Sequence, residues 1–169
     1  MQSAQIITPA DQDHPLINQM NSALLDQVIC LQATVDEIPT FWVDRSNIKV
    51  FLKFLRSGSQ PRFEMLLDVT GIDERVRVNR EGQPASEFTV VYHLTSFSGH
   101  CDVRVKVPLM DSDLKLPSVV DLWPSANWYE RETWDMFGIE FDGHPNLFRI
   151  VLPPTWQGHA LRKEHPARA

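Results

Sequence analysis

The sequence predicts an α+β domain, its helices packed on one face of a mixed or antiparallel sheet, followed by an extended basic tail. Three observations lead there. Apolar residues recur at helical spacing in segments near the start, in the first third and near residue 130, and three central runs alternate with a period of two. From Pro145 onward neither period is sustained, and four prolines (Pro145, Pro153, Pro154 and Pro166) crowd the last stretch. The expected organisation is one domain over residues 1–140 and a tail over 141–169 that lies on other proteins.

The first amphipathic segment opens at Pro15 behind Asp13 as N-cap, with Leu16, Ile17, Met20, Ala23 and Leu24 on one side. The strand-like runs VICLQA (28–33) and TFWVD (40–44) follow, separated by the breaker-rich TVDEIP. A second helix, RSNIKVFLKFLRSG (45–58), presents Ile48, Phe51, Leu52 and Leu55 to the core. It turns Lys49, Lys53 and Arg56 to water and stops at Gly58.

The alternating runs are RFEMLLDV (62–69), with Phe63, Met65, Leu67 and Val69 on one side; EFTVVYHL (87–94), with Phe88, Val90, Tyr92 and Leu94; and CDVRVKV (101–107), with Cys101, Val103, Val105 and Val107. The link TSFSGH has the length and glycine of a hairpin loop, so the last two are expected as antiparallel neighbours. The polar stretch GIDERVRVNREGQPAS (71–86) reads as a long turn between strands.

Composition narrows the function. A 169-residue chain with 43% hydrophobic residues can bury its own core. A formal charge of -6 argues against a surface that neutralises nucleic-acid phosphates. There is no apolar run of membrane-spanning length and no signal-peptide pattern at the N-terminus, which predicts a cytoplasmic protein. Cys30 and Cys101, each in an apolar run, are expected as buried thiols, and two cysteines cannot ligate an iron–sulfur cluster alone. GxGxxG, P-loop, GxSxG and HExxH motifs are absent. His93, alone on a strand, reads as a half-buried structural residue.

The densest chemistry lies in NWYERETWDMFGIEFDGHPNLFRI (127–150). As a helix from Asn127 it puts Trp128, Arg131, Glu132 and Asp135 on one arc, with Tyr129, Thr133, Met136 and Phe137 opposite. Glu132 and Asp135 could act as an acid/base pair or, with His144, hold a hard cation as in a small metal-dependent hydrolase. The alternative is structural: Arg131 pairs with Asp135 four residues on, Glu132 faces a partner's base, and Gly138 ends the helix. From Arg149 onward the chain carries Arg149, Arg162, Lys163 and Arg168 against Glu164, which suits an arm lying on an acidic partner.

These residues also resemble a known family. Glu130-Arg131-Glu132, Asp135-Met136-Phe137-Gly138-Ile139, Phe141, Gly143-His144-Pro145, Leu147 and Arg149-Ile150 resemble the signature of the 30-kDa (C) subunit of respiratory complex I, the proton-translocating NADH:quinone oxidoreductase. Trp156, Gly158, Leu161-Arg162-Lys163 and Pro166 extend the likeness, which covers roughly residues 40 to 169. The stretch GIDERVRVNREGQPASEFTVVYHL is similar to the form found where the bacterial C and D subunits are fused. Ala160 and Glu164 stand where the family usually has proline and aspartate.

The resemblance implies a peripheral-arm subunit without a cofactor, on the cytoplasmic side of the bacterial inner membrane, with FMN and iron–sulfur clusters in partner subunits. Its neighbours would resemble the B, D and I subunits. Its role would be structural and in assembly, with Arg131, Glu132, Asp135, Arg149, Arg162 and Lys163 holding partners. The equivalent subunit of a membrane-bound hydrogenase or formate hydrogenlyase shares part of the signature.

Overall fold

A computed structural model describes residues 6–7, 15–20, 22–78, 80 and 82–165. The chain runs β1 (Ile6–Ile7), α1 (Pro15–Asn18), α2 (Ser22–Leu25), β2 (Val28–Gln32), β3 (Thr40–Val43), α3 (Ile48–Lys53), β4 (Met65–Asp73), β5 (Phe88–Ser96), β6 (Cys101–Leu109), β7 (Lys115–Pro117), α4 (Ala126–Phe137) and β8 (Glu140–Asp142). Six strands form a mixed sheet in the order β1-β2-β3-β6-β5-β4; β3 and β6 are parallel and every other neighbouring pair is antiparallel. β7 and β8 make a separate parallel pair. The α+β class and the mixed sheet are as the periodicities predict.

The β5–β6 hairpin shows how the core is built. Val90 faces Val107, Tyr92 faces Val105 and Leu94 faces Val103, all fully buried on the helix-covered face. Ile48, Phe51, Leu52 and Leu55 come down onto that face from α3, whose last turn widens into a π-type turn over Phe54–Gly58. The other face is partly polar: Trp42 lies under the Lys106 ammonium, and its indole N–H donates to Gln32 Oε1 at 2.9 Å.

Four expectations need correction. The amphipathic segment from Pro15 is two short helices; between them Gln19 exchanges side-chain hydrogen bonds with the backbone of Gln60. The Asp13 cap lies outside the described residues. On β4 the inward residue is Leu66, and Met65 is 42% exposed, because the register shifts between Leu66 and Asp68. The extra residue exchanges the two faces at that point. The same strand continues to Asp73, so Gly71, Ile72 and Asp73 belong to the sheet and not to the turn. Cys101, at the first position of β6, is exposed, whereas Cys30 is buried.

The boundary expected after residue 140 falls inside β8, which pairs Phe141 with Leu116. The stretch beyond it folds back over α4, and this return builds the site.

Candidate functional site

β4 is an edge strand of the sheet, and α4 covers its outer side. Trp123 Nε1 donates to Glu64 O at 3.1 Å, and the Thr133 hydroxyl donates to Val69 O at 2.8 Å, so strand carbonyls without a neighbouring strand find side-chain donors. The Phe137 ring lies so close over Gly71 that a Cβ there would come within 2.6 Å of it. Gly138 then takes the left-handed conformation, φ 79°, and its N–H closes on Trp134 O at 2.8 Å, ending the helix as its position predicts.

Returning along α4, the chain is fastened by Asp135. This carboxylate has no solvent exposure. Its Oδ2 accepts the amides of Ile150, Val151 and Leu152 at 3.0, 2.9 and 3.0 Å, and Oδ1 meets Arg149 Nη1 at 2.5 Å. Burial alone would raise its pKa; the Leu152 and Val151 amides, the Arg149 guanidinium and the Ile150 amide more than offset this and hold the carboxyl below its ordinary value. Arg149 also donates to Gly158 O at 2.9 Å and lies over the Trp134 ring. The expected Arg131–Asp135 pair is therefore corrected: three successive amides and a guanidinium arrive together from one loop, a donor set that the i,i+4 arginine cannot match.

Glu130, one turn earlier and also fully buried, faces the other way. Its Oε2 accepts the Ser118 hydroxyl and its Oε1 the Val119 amide, both at 2.7 Å. Lys49 Nζ reaches Ser118 O at 3.1 Å and Asp121 at 3.0 Å. Desolvation dominates here, and against the Val119 amide, the Ser118 hydroxyl and the more distant Lys49 charge it pushes the carboxyl up to about 7. Sequence reasoning passed over Glu130 because its partners lie in the loop before the helix.

Glu132, Asp135 and His144 do not form a ligand set. Glu132 is exposed and Asp135 has its oxygens occupied. His144 Nδ1 accepts the Asn146 amide at 3.0 Å, which leaves the ring proton on Nε2, 3.2 Å from Asn127 O. Among the described residues no group of three His, Cys, Asp or Glu side chains is placed to hold a metal ion. Arg131 leaves the carboxylates altogether: its guanidinium stacks on Phe148 with Cζ 3.6 Å from the ring centroid, and on Trp128 at 4.8 Å.

The basic end, as far as it is described, binds this chain. Arg162 Nε donates to Phe137 O at 2.7 Å and Nη1 reaches Asp111 at 3.3 Å. The Lys163 amide donates to buried Asp73 at 2.8 Å while its side chain is exposed. Arg75 links Asp73 to Glu164. Arg149 and Arg162, expected to hold partners, thus spend their guanidinium groups internally.

Comparison with known proteins agrees with the signature. The family model for the respiratory-chain NADH dehydrogenase 30 Kd subunit matches residues 41–169. The chain is 60% identical over 139 residues to the fused C/D subunit of NADH-quinone oxidoreductase from Nitrosospira multiformis, covering 82% of this chain and 23% of that protein. It is 48% identical over 157 residues to the C/D subunit of Azotobacter vinelandii, covering 93% and 26%. It therefore spans about a quarter of the length of these curated relatives.

Among solved structures it is similar to the trypsin-resistant fragment (1-134) of Nqo5, with a TM-score of 0.60 at 32% identity over 69% of this chain and 88% of that one. It also shares its fold with a chain of the archaeal membrane-bound sulfane sulfur reductase, with a TM-score of 0.65 at 24% identity over 86% and 83%. No helix among the described residues is long and apolar enough to cross a membrane. The chain belongs to the family of the 30-kDa subunit of respiratory-chain NADH dehydrogenase.

Proposed function

We propose that this chain is a structural subunit of a proton-translocating NADH:quinone oxidoreductase, positioning and shielding partner subunits that carry FMN and iron–sulfur clusters, with no reacting group of its own. One observation carries the reading: several charged residues of the signature hold the fold together. Asp135 fastens residues 149–152, Glu130 fastens the 118–119 loop and Arg162 caps the end of α4. Around them Trp128, Phe148 and Val151 remain exposed, the residue types that protein interfaces bury. The same reading gives the chain partners resembling the B, D and I subunits and a place on the cytoplasmic face of the inner membrane, and the family match supports it.

Affinity purification of the tagged chain from its own organism tests this. Flavin- and cluster-bearing subunits should come with it, with the absorbance of both groups in the eluate. Recovery of the chain without them would overturn the reading.

A further inference from the structure

Arg131 is a cation built into the surface with no anion beside it among the described residues. Only 5% of the residue is exposed, yet no carboxylate lies within salt-bridge distance among the described residues. The nearest helical acid in register, Asp135, is taken by Arg149. Desolvating a guanidinium without a counter-charge is costly, and contacts with two ring faces offset only part of that cost. Its Nε donates to Phe148 O at 3.2 Å, which fixes the plane of the group. The two terminal nitrogens take no partner among the described residues and are not sealed from solvent. The two rings against it are outward parts of the surface, Trp128 being 62% and Phe148 47% exposed.

Two aromatic rings thus lie against the guanidinium and its Nε is committed, while its two terminal nitrogens have no partner among the described residues. That geometry takes an end-on, bidentate carboxylate. A phosphate site would gather several donors, whereas a single stacked arginine ringed by exposed aromatics has the composition of a protein–protein anchor. We propose that Arg131, held against Trp128 and Phe148, is the docking point for an aspartate or glutamate side chain of a partner subunit. This rests on the subunit role proposed above and names the chemistry of one contact.

The test uses the full chain in its own complex. A photo-cross-linking benzoylphenylalanine placed at exposed Glu132 is activated in the purified assembly and the cross-linked peptides are sequenced. The expected product joins this chain to a segment of another subunit that contains an aspartate or glutamate. Arg131→Lys, which keeps the charge but loses the fork, and Arg131→Gln should each lower the amount of chain retained through a salt wash by about tenfold.

Arg131→Glu combined with reversal of the identified acid to arginine should recover most of that loss, which a merely structural role for Arg131 would not do. Cross-links confined to this chain, a cross-linked partner segment without an acid, or full retention of the Arg131→Lys form would overturn the proposal while leaving the subunit role standing. Absence of cluster-bearing subunits from the unmodified preparation would overturn both.

Discussion

Asp135 and Arg149, fourteen residues apart, meet at 2.5 Å in a place where the carboxylate has no contact with water. Together with the amides of residues 150–152 this pair turns an irregular, proline-bounded segment into a fixed part of the domain. Removing one partner of a buried pair leaves the other charge desolvated. Asp135→Asn keeps the shape but leaves one neutral acceptor oxygen and turns an NH2 donor toward either the Arg149 guanidinium or the three amides. It should cost about 3 kcal/mol by denaturant unfolding, with the earliest loss of hydrogen-exchange protection at the amides of 150–152. A loss under about 1 kcal/mol would show that the segment is held by other contacts.

Glu130 gives a pH dependence of the opposite sense to ordinary carboxylates. Its folded pKa, raised to about 7, lies above the unfolded value of about 4.3. Between these values the native state binds the proton and the unfolded state does not, so stability falls as pH rises and levels off above about 7. Asp36, Asp73 and Asp135 have lowered values and act in the other direction, with stability lost as pH falls below about 4, outside this window. Glu130→Gln should abolish the fall between pH 5 and 7 and leave the variant more stable than the parent at pH 8. Parallel stability curves for the two proteins would refute this.

These two carboxylates also show what could be read from sequence. On β5 and β6 strict alternation named the buried face, because no bulge interrupts the hairpin and each inward residue meets another across it. On β4 the same rule failed at Leu66, since a one-residue register shift leaves no mark in hydrophobicity. The density of charge in 127–150 located the site. Its pairings were hidden, because local spacing favours Arg131 for Asp135 and the winning donors arrive only when the chain folds back. Glu130 was harder still: Ser118 and Val119 precede it by twelve and eleven residues, with no periodic relation to the helix.

The contact of Phe137 with Gly71 sets how closely α4 lies on the sheet edge. A methyl group at Gly71 would stand 2.6 Å from the ring, and the ring is buried. Gly71→Ala should therefore destabilise the domain by about 2 kcal/mol, the usual scale for overpacking a filled core. Combining it with Phe137→Leu should return part of the loss, since a smaller side chain opens the space. Additive losses in the double variant, measured by thermal unfolding, would show that strand and helix do not compete there.

Arg75 ties the end of the described tail to the sheet, joining buried Asp73 at the end of β4 to Glu164 and lying 3.6 Å from Asp111. Its guanidinium also covers the Phe88 ring at 4.7 Å. Arg75→Met keeps the stem and removes the charge. Asp73 then retains only the Lys163 amide from the tail. Loss of one charge-assisted contact lowers the cost of local opening by roughly 1.5 kcal/mol, so trypsin should cut after Arg162 and Lys163 about tenfold faster while cleavage elsewhere, apart from the site deleted at residue 75, is unchanged. Raising the salt concentration should accelerate the same cuts in the parent by a smaller factor, because these charges are partly exposed and screened. Cleavage of the variant within twofold of the parent rate would mean that Arg162, through Phe137 O and Asp111, holds the tail without Arg75.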